Sequence, residues 1–96
     1  MGNPASALVN RAQRFPLNVA LHYRKSGMPH WQDGKTVNIS RTGILFEADE
    51  VLPKDSVLDI QVSLPLKVSI SCQATVVRSD ESRYAVRIHR HHLIRH

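Results

Sequence analysis

Apolar and polar residues alternate along most of this chain. Leu17, Val19, Leu21 and Tyr23 fall on one face of an extended segment, and Asn18, Ala20 and His22 on the other. Period two is the mark of a half-buried strand. The same pattern returns at 35–40 through Val37 and Ile39, at 44–48 through Ile44, Phe46 and Ala48, and at 58–64 through Leu58, Ile60, Val62 and Leu64. It runs longest through Leu66, Val68, Ile70, Cys72, Ala74 and Val76, and ends with Tyr84, Val86 and Ile88. Turn-forming residues separate these runs: Gly27, Pro29, Asp33 and Gly34, then Arg41 to Gly43, Pro53, Pro65, and Asp80 to Ser82. Six short strands with one apolar face each predict an all-β domain, a barrel or a sandwich. Closure into a barrel also removes exposed strand edges. Only residues 89–96 are left for a helix, a segment of about two turns.

Composition narrows the picture. Ninety-six residues and 10.9 kDa suffice for one domain. A hydrophobic fraction of 42% with 22% charged residues is that of a folded chain. Cys72 is the sole cysteine, so no internal disulfide forms and a reducing, cytoplasmic setting is expected. Its place on the apolar face of the longest strand makes it core filler rather than a nucleophile. No apolar run is long enough for a membrane span.

The net charge of +5 is unevenly distributed. Arg11, Arg14, Arg24 and Lys25 give the first 32 residues +4 with no acid, and Arg83, Arg87, Arg90 and Arg95 give the last 14 another +4. All eight acids lie in 33–82, against Lys35, Arg41, Lys54, Lys67 and Arg78. Basic ends around an acidic middle fit an anionic, phosphate-bearing ligand; they equally fit solubility charge. His89, His92 and His96 would share a face if the tail were helical, at metal-ligand spacing. Arginines crowd that segment and no acid accompanies them, so a basic surface is the better reading and no metal is expected. No carboxylate pair or Cys/His pair forms a convincing catalytic site, and the chain reads as no enzyme.

Two segments carry candidate chemistry. Asn38-Ile39-Ser40-Arg41-Thr42-Gly43 joins the second strand to the third. With Ile39 inward, Asn38 and Ser40 share the outer face and offer an amide and a hydroxyl to one ligand. Gly43 allows either a positive φ or a backbone approach that a Cβ would block. The same residue types also make an ordinary turn. Arg11-Ala12-Gln13-Arg14 precedes Phe15-Pro16-Leu17-Asn18-Val19 at the first strand. Guanidinium groups stack on bases, fork onto guanine O6 and N7, and pair bidentately with phosphate. A solvated basic arm is the plain alternative.

Taken together, these segments resemble the PilZ domain, the bacterial receptor module for cyclic di-GMP. Asn38-x-Ser40-x-x-Gly43 matches the family's [Asp/Asn]-x-Ser-x-x-Gly motif, and Tyr84-Ala85-Val86-Arg87-Ile88 looks like its last strand. The resemblance covers roughly residues 10 to 90. It implies a six-stranded antiparallel β-barrel with at most a short C-terminal helix, occupying 10–96 behind a flexible 1–9. It implies cyclic di-GMP as ligand, with Arg11, Arg14, Asn38, Ser40 and Gly43 at the site and no further cofactor. It also implies signalling to a separate, unidentified protein through ordering of the arginine arm. In the family the paired arginines take guanine edges, guanine faces and phosphates. The acidic or amide residue meets the guanine Watson–Crick edge, and the serine bonds a base or phosphate. This chain departs from the family at the arginines, with Arg-x-x-Arg in place of Arg-x-x-x-Arg. That spacing motivates a second reading, a PilZ-fold scaffold that binds protein and no nucleotide. A barrel for single-stranded nucleic acid comes last, because Tyr23, Phe46 and Tyr84 face inward and leave few rings for base stacking. DNA and RNA are therefore not expected partners.

Overall fold

The computed structural model describes residues 15–16, 19–64 and 67–95. Its strands are β1 (Phe15–Pro16), β2 (Ala20–Lys25), β3 (Gln32–Ile39), β4 (Gly43–Glu47), β5 (Val57–Leu64), β6 (Val68–Asp80) and β7 (Arg83–Arg95). All pairings are antiparallel, in the order β1-β3-β2-β5-β6-β7-β4, and β4 returns to β3 to close the barrel. β1 pairs with Asn38–Ile39 and β2 with Gln32–Lys35, both on the side of β3 away from β4. The two therefore lie end to end as one stave. The result is the expected closed six-stranded antiparallel barrel.

Among the described residues there is no helix. Residues 89–95 continue β7 instead, paired with β6 from Arg90↔Gln73 to Arg95↔Val68. A segment of two turns is marginal as a helix in isolation. Here β6 offers it a backbone ladder, which a helix would forgo.

The inward residues follow the alternation closely. Leu21, Tyr23, Ile44, Phe46, Leu58, Ile60, Val62, Cys72, Ala74, Val76, Tyr84 and Val86 fill the core. Phe46 sits between two tyrosines, its ring centroid 5.5 Å from Tyr23 and 5.9 Å from Tyr84. Both hydroxyls are anchored on Glu50: Tyr23 donates to its Oε1 at 3.0 Å and Tyr84 to its carbonyl at 2.8 Å. Burial, followed by the Glu50 carboxylate, pushes the Tyr23 phenol well above its ordinary range. Leu52, in the connection after β4, is fully buried and closes this part of the barrel.

One expected core residue is corrected. Val37 is only partly buried, whereas its polar neighbour Thr36 is 1% exposed. The cause is a β-bulge: Thr36 pairs with Phe46 and Asn38 with the adjacent Leu45, so Val37 is the extra residue. A second bulge lies in β6, where Val76 pairs with Val86 and Arg78 with Ala85, leaving Val77 extra. Each bulge resets which side chains face outward.

Candidate ligand-binding cleft

The two bulges assemble a single row of outward residues. Asn38 pairs with Leu45, Leu45 with Ala85, and Ala85 with Arg78. At about 4.8 Å between neighbouring strands, this row spans about 14 Å of the outer face of β3, β4, β7 and β6. Its ends carry an amide and a guanidinium, and its floor is an apolar leucine and alanine. The next outward row along β7 brings Arg87 opposite Gly43. Together with Ser40, Thr42 and Val77, these residues line a surface concavity of about 250 Å³. Arg78 and Arg87 are exposed, and neither makes an ion pair among the described residues.

The turn between β3 and β4 is built by its own serine. Ser40 N–H donates to the Gly43 carbonyl at 2.9 Å. Its Oγ accepts from the N–H groups of Gly43 at 3.2 Å and Thr42 at 3.3 Å, and lies within reach of the Gly43 carbonyl at 3.4 Å. Ser40 thus spends its hydrogen-bonding capacity inside the turn and fixes where the neighbouring groups stand. Such side chain–backbone bonds are why serine suits this position.

Of the two reasons for glycine at position 43, close approach applies. A Cβ there would lie 2.6 Å from the Val86 carbonyl oxygen, and the residue has no positive φ. The absent side chain lets β4 pair with β7 and brings the turn against Arg87.

The structure therefore brings Asn38, Ser40 and Gly43 together on one face. Arg11 and Arg14 lie outside the described residues. The chain after them is anchored at the same place, since Phe15 pairs with Ile39 and Pro16 with Asn38. Arg78 and Arg87 line the concavity without belonging to either motif of the sequence. A signal for Arg78 existed: strict alternation ends at the Val76-Val77 doublet, one residue before it. Arg87 lies inside the recognised last-strand segment, where outward parity was readable but its neighbour Gly43 was not.

The remaining candidates separate from this cleft. Cys72 is buried, and burial, then the Asp59 charge, pushes its thiol up to about 11, which keeps it protonated and unreactive. Among the described residues no three of His, Cys, Asp or Glu are grouped as a metal site; His96 lies outside them. Trp31 is 38% exposed beneath the Arg24 guanidinium, 4.4 Å from its ring centroid. Arg24 is in turn held by Asp59, Nε to Oδ2 at 3.0 Å. No helix among the described residues is long and apolar enough to cross a membrane.

Comparison with known proteins agrees with the geometry. No curated protein matches the chain. The PilZ domain family model matches residues 9–96, which takes in the whole barrel and the Asn-x-Ser-x-x-Gly turn. With that match over nearly its full length, the chain belongs to the PilZ domain family, receptor domains for cyclic di-GMP that bind and signal rather than catalyse.

Proposed function

We propose that this chain is a cytoplasmic cyclic di-GMP receptor that takes its ligand in the Asn38–Arg78 cleft and reports occupancy to a separate protein controlling motility, biofilm or exopolysaccharide. The observation that carries the reading is the outward row Asn38–Leu45–Ala85–Arg78, flanked by Arg87 and the Ser40–Gly43 turn. Cyclic di-GMP offers two guanines and two phosphates. Asn38 presents one acceptor oxygen for the N1 and N2 donors of a guanine edge, one fewer than an aspartate would. Leu45 and Ala85 give an apolar floor beneath a base. Arg78 and Arg87, which pair with no carboxylate among the described residues, suit phosphate oxygens, for which the guanidinium fork is shaped.

A concavity of about 250 Å³ is below the roughly 300–1,000 Å³ that encloses a small ligand. It seats part of a dinucleotide, and covering the rest falls to Arg11 and Arg14. Arg14 immediately precedes Phe15, whose backbone pairs with Ile39, so the arginine segment is tethered at the cleft by covalent connection. Closure of that arm over the ligand changes the surface offered to a partner, and that is the signal. Ser40 acts by holding the turn. No bond is made or broken.

Calorimetric titration of cyclic di-GMP into the chain, with GTP and cyclic di-AMP as controls, tests this. Saturable heat specific to cyclic di-GMP is expected, lost in Arg14→Ala and weakened at least several-fold in Arg87→Ala and Asn38→Ala. Absence of heat in the folded chain overturns it. The Arg-x-x-Arg spacing then favours the second reading, a scaffold that binds protein without nucleotide.

A further inference from the structure

The strands of the barrel are unequal, and among the described residues one of them is left with an open edge. β7 has thirteen residues and β4 only five. β4 covers β7 from Arg83 to Arg87, and the Ile88 N–H reaches the Thr42 carbonyl at 2.9 Å. Beyond that point β7 pairs with β6 alone among the described residues, from Arg90↔Gln73 to Arg95↔Val68. The far side of 89–95 therefore presents a run of backbone donors and acceptors about 20 Å long at ~3.3 Å per residue. An edge of this kind is a template for an added strand.

Charge selects what is added. Arg90 and His92 are two apart, both exposed, and line one concavity on the outer face with Gln73 and Ser71. The single carboxylate in that lining, Asp59, is occupied by Arg24 and by the Ser26 hydroxyl. Arg87 lies further along the same face, separated by a bulge at which His89 is the extra residue and its ring meets the Thr75 hydroxyl, and residues 83–96 contain no acid. A second copy of β7 would set arginine and histidine against themselves, and like charges opposed across strands are destabilising. The chain's own residues 1–14 carry Arg11, Arg14 and no acid, so they bring the same sign. A nucleic acid has the right charge but cannot continue a backbone ladder, and the Trp31 ring in the same concavity is already covered by Arg24.

We infer that residues 89–95 of β7 capture an extended acidic segment of a partner protein by strand addition, with alternate carboxylates of that segment facing Arg90 and His92. The ladder supplies attachment, and the period of two matches acids at every second position. The inference holds whether or not the cleft takes a nucleotide, so its failure leaves the reading of the cleft untouched.

The test uses the full chain, isotope-labelled, and a capped octapeptide alternating glutamate and valine. Amide shifts and hydrogen exchange are followed along β7. At a peptide concentration about ten times its Kd, exchange at 89–95 slows about tenfold, an effect weakened by salt. It is lost when alternate peptide nitrogens are methylated. Arg90→Glu with His92→Glu, both at exposed sites, abolishes it and transfers the preference to a lysine–valine octapeptide. Unchanged exchange at 89–95 overturns the proposal, as does binding that survives methylation, which would be charge attraction without a ladder. Stronger protection of 89–95 by oligothymidylate overturns it in favour of nucleic acid. Protection already present in the free chain at those 89–95 amides that point away from β6 also overturns it. Sedimentation then distinguishes a second copy from the chain's own first residues as the cover.

Discussion

Two neighbouring rows of residues cross the same four strands and do opposite things. The inner row is Ile39–Ile44–Val86–Val76, all buried. One position along β3, β4 and β7, and two along β6 where Val77 is the extra residue, the outer row is Asn38–Leu45–Ala85–Arg78. The backbone ladder is shared, so the difference lies entirely in the side chains and the face they take. The inner row is aliphatic and removes area from water; stability comes from it. The outer row ends in an amide and a cation that makes no ion pair among the described residues, which adds little to folding and leaves both groups available to a ligand. Recognition capacity in this barrel is thus polar bonding left unmade on the outside of a strand whose inside is fully used.

The sharpest break of that comparison is one truncation in each row. Ile44→Ala is expected to cost about 2–5 kcal/mol, a large share of the roughly 5–15 kcal/mol that holds a domain folded. Asn38→Ala, at a half-buried outer position, is expected to cost at most about 1 kcal/mol. Urea unfolding of both variants decides it. An equal loss in the two would mean that Asn38 has a structural role the outer row does not show.

Gly43→Ala tests the seam between the rows. The added methyl meets the Val86 carbonyl oxygen at 2.6 Å, so β4 and β7 must part there. A loss of about 1–3 kcal/mol is expected for such overpacking, and each kcal/mol lowers Tm by about 4–8 °C in a domain of this size. A variant with unchanged Tm would show that the turn shifts freely, and the fixed geometry of Ser40 would go with it.

Alkaline pH probes the inner face chemically. Cys72 is raised from its ordinary 9.0 to about 11 by burial first and the Asp59 charge second. A raised folded value means the native state holds its proton more tightly than the unfolded one. Stability is therefore full below pH 9 and falls as pH rises from 9 towards 11, by on the order of 1 kcal/mol per pH unit. Tyr23, raised in the same direction by burial and Glu50, adds its own loss above pH 10, its ordinary value. Cys72→Ala should remove the earlier part of the decline and leave the later part. Urea midpoints between pH 8 and 11 measure both.

How far these rows could be read from the sequence depended on parity. Leu58, Ile60 and Val62 or Tyr84 and Val86 alternate without a break, and every one of them is buried. Asn38, Ser40 and Gly43 were legible as one outward constellation because a turn residue follows an inward Ile39. What was hidden was the phase of β3 and β6. Val37 looks like a core residue, yet Thr36 has that place, because an extra residue in a ladder changes which neighbours face in without changing composition. Arg78 joins the outer row for the same reason, and its partnership with Asn38 crosses three strand pairings that are distant in sequence. Residues 89–95 carry little strand signal of their own, because their strand character comes from pairing with β6.

Thr36 gives the smallest and most discriminating test, because it is the polar residue that the β3 bulge turns into the core. Its hydroxyl is buried with no hydrogen-bond partner among the described residues, while its backbone N–H is satisfied by the Val19 carbonyl at 3.1 Å. A buried hydroxyl without a partner keeps its full desolvation cost. Thr36→Val replaces it by a methyl of nearly the same shape and is expected to raise stability by about 1 kcal/mol. Thr36→Ser keeps the hydroxyl, removes the methyl, and is expected to lower stability by about 1 kcal/mol, the worth of one buried carbon. Opposite signs would show that the bulge alone, by fixing the phase of β3, places a polar group inside so that Asn38 can stand outside. A loss in both variants would instead assign the hydroxyl a hydrogen-bonding role in the core. The polar content of the inner face would then be part of what holds the barrel together.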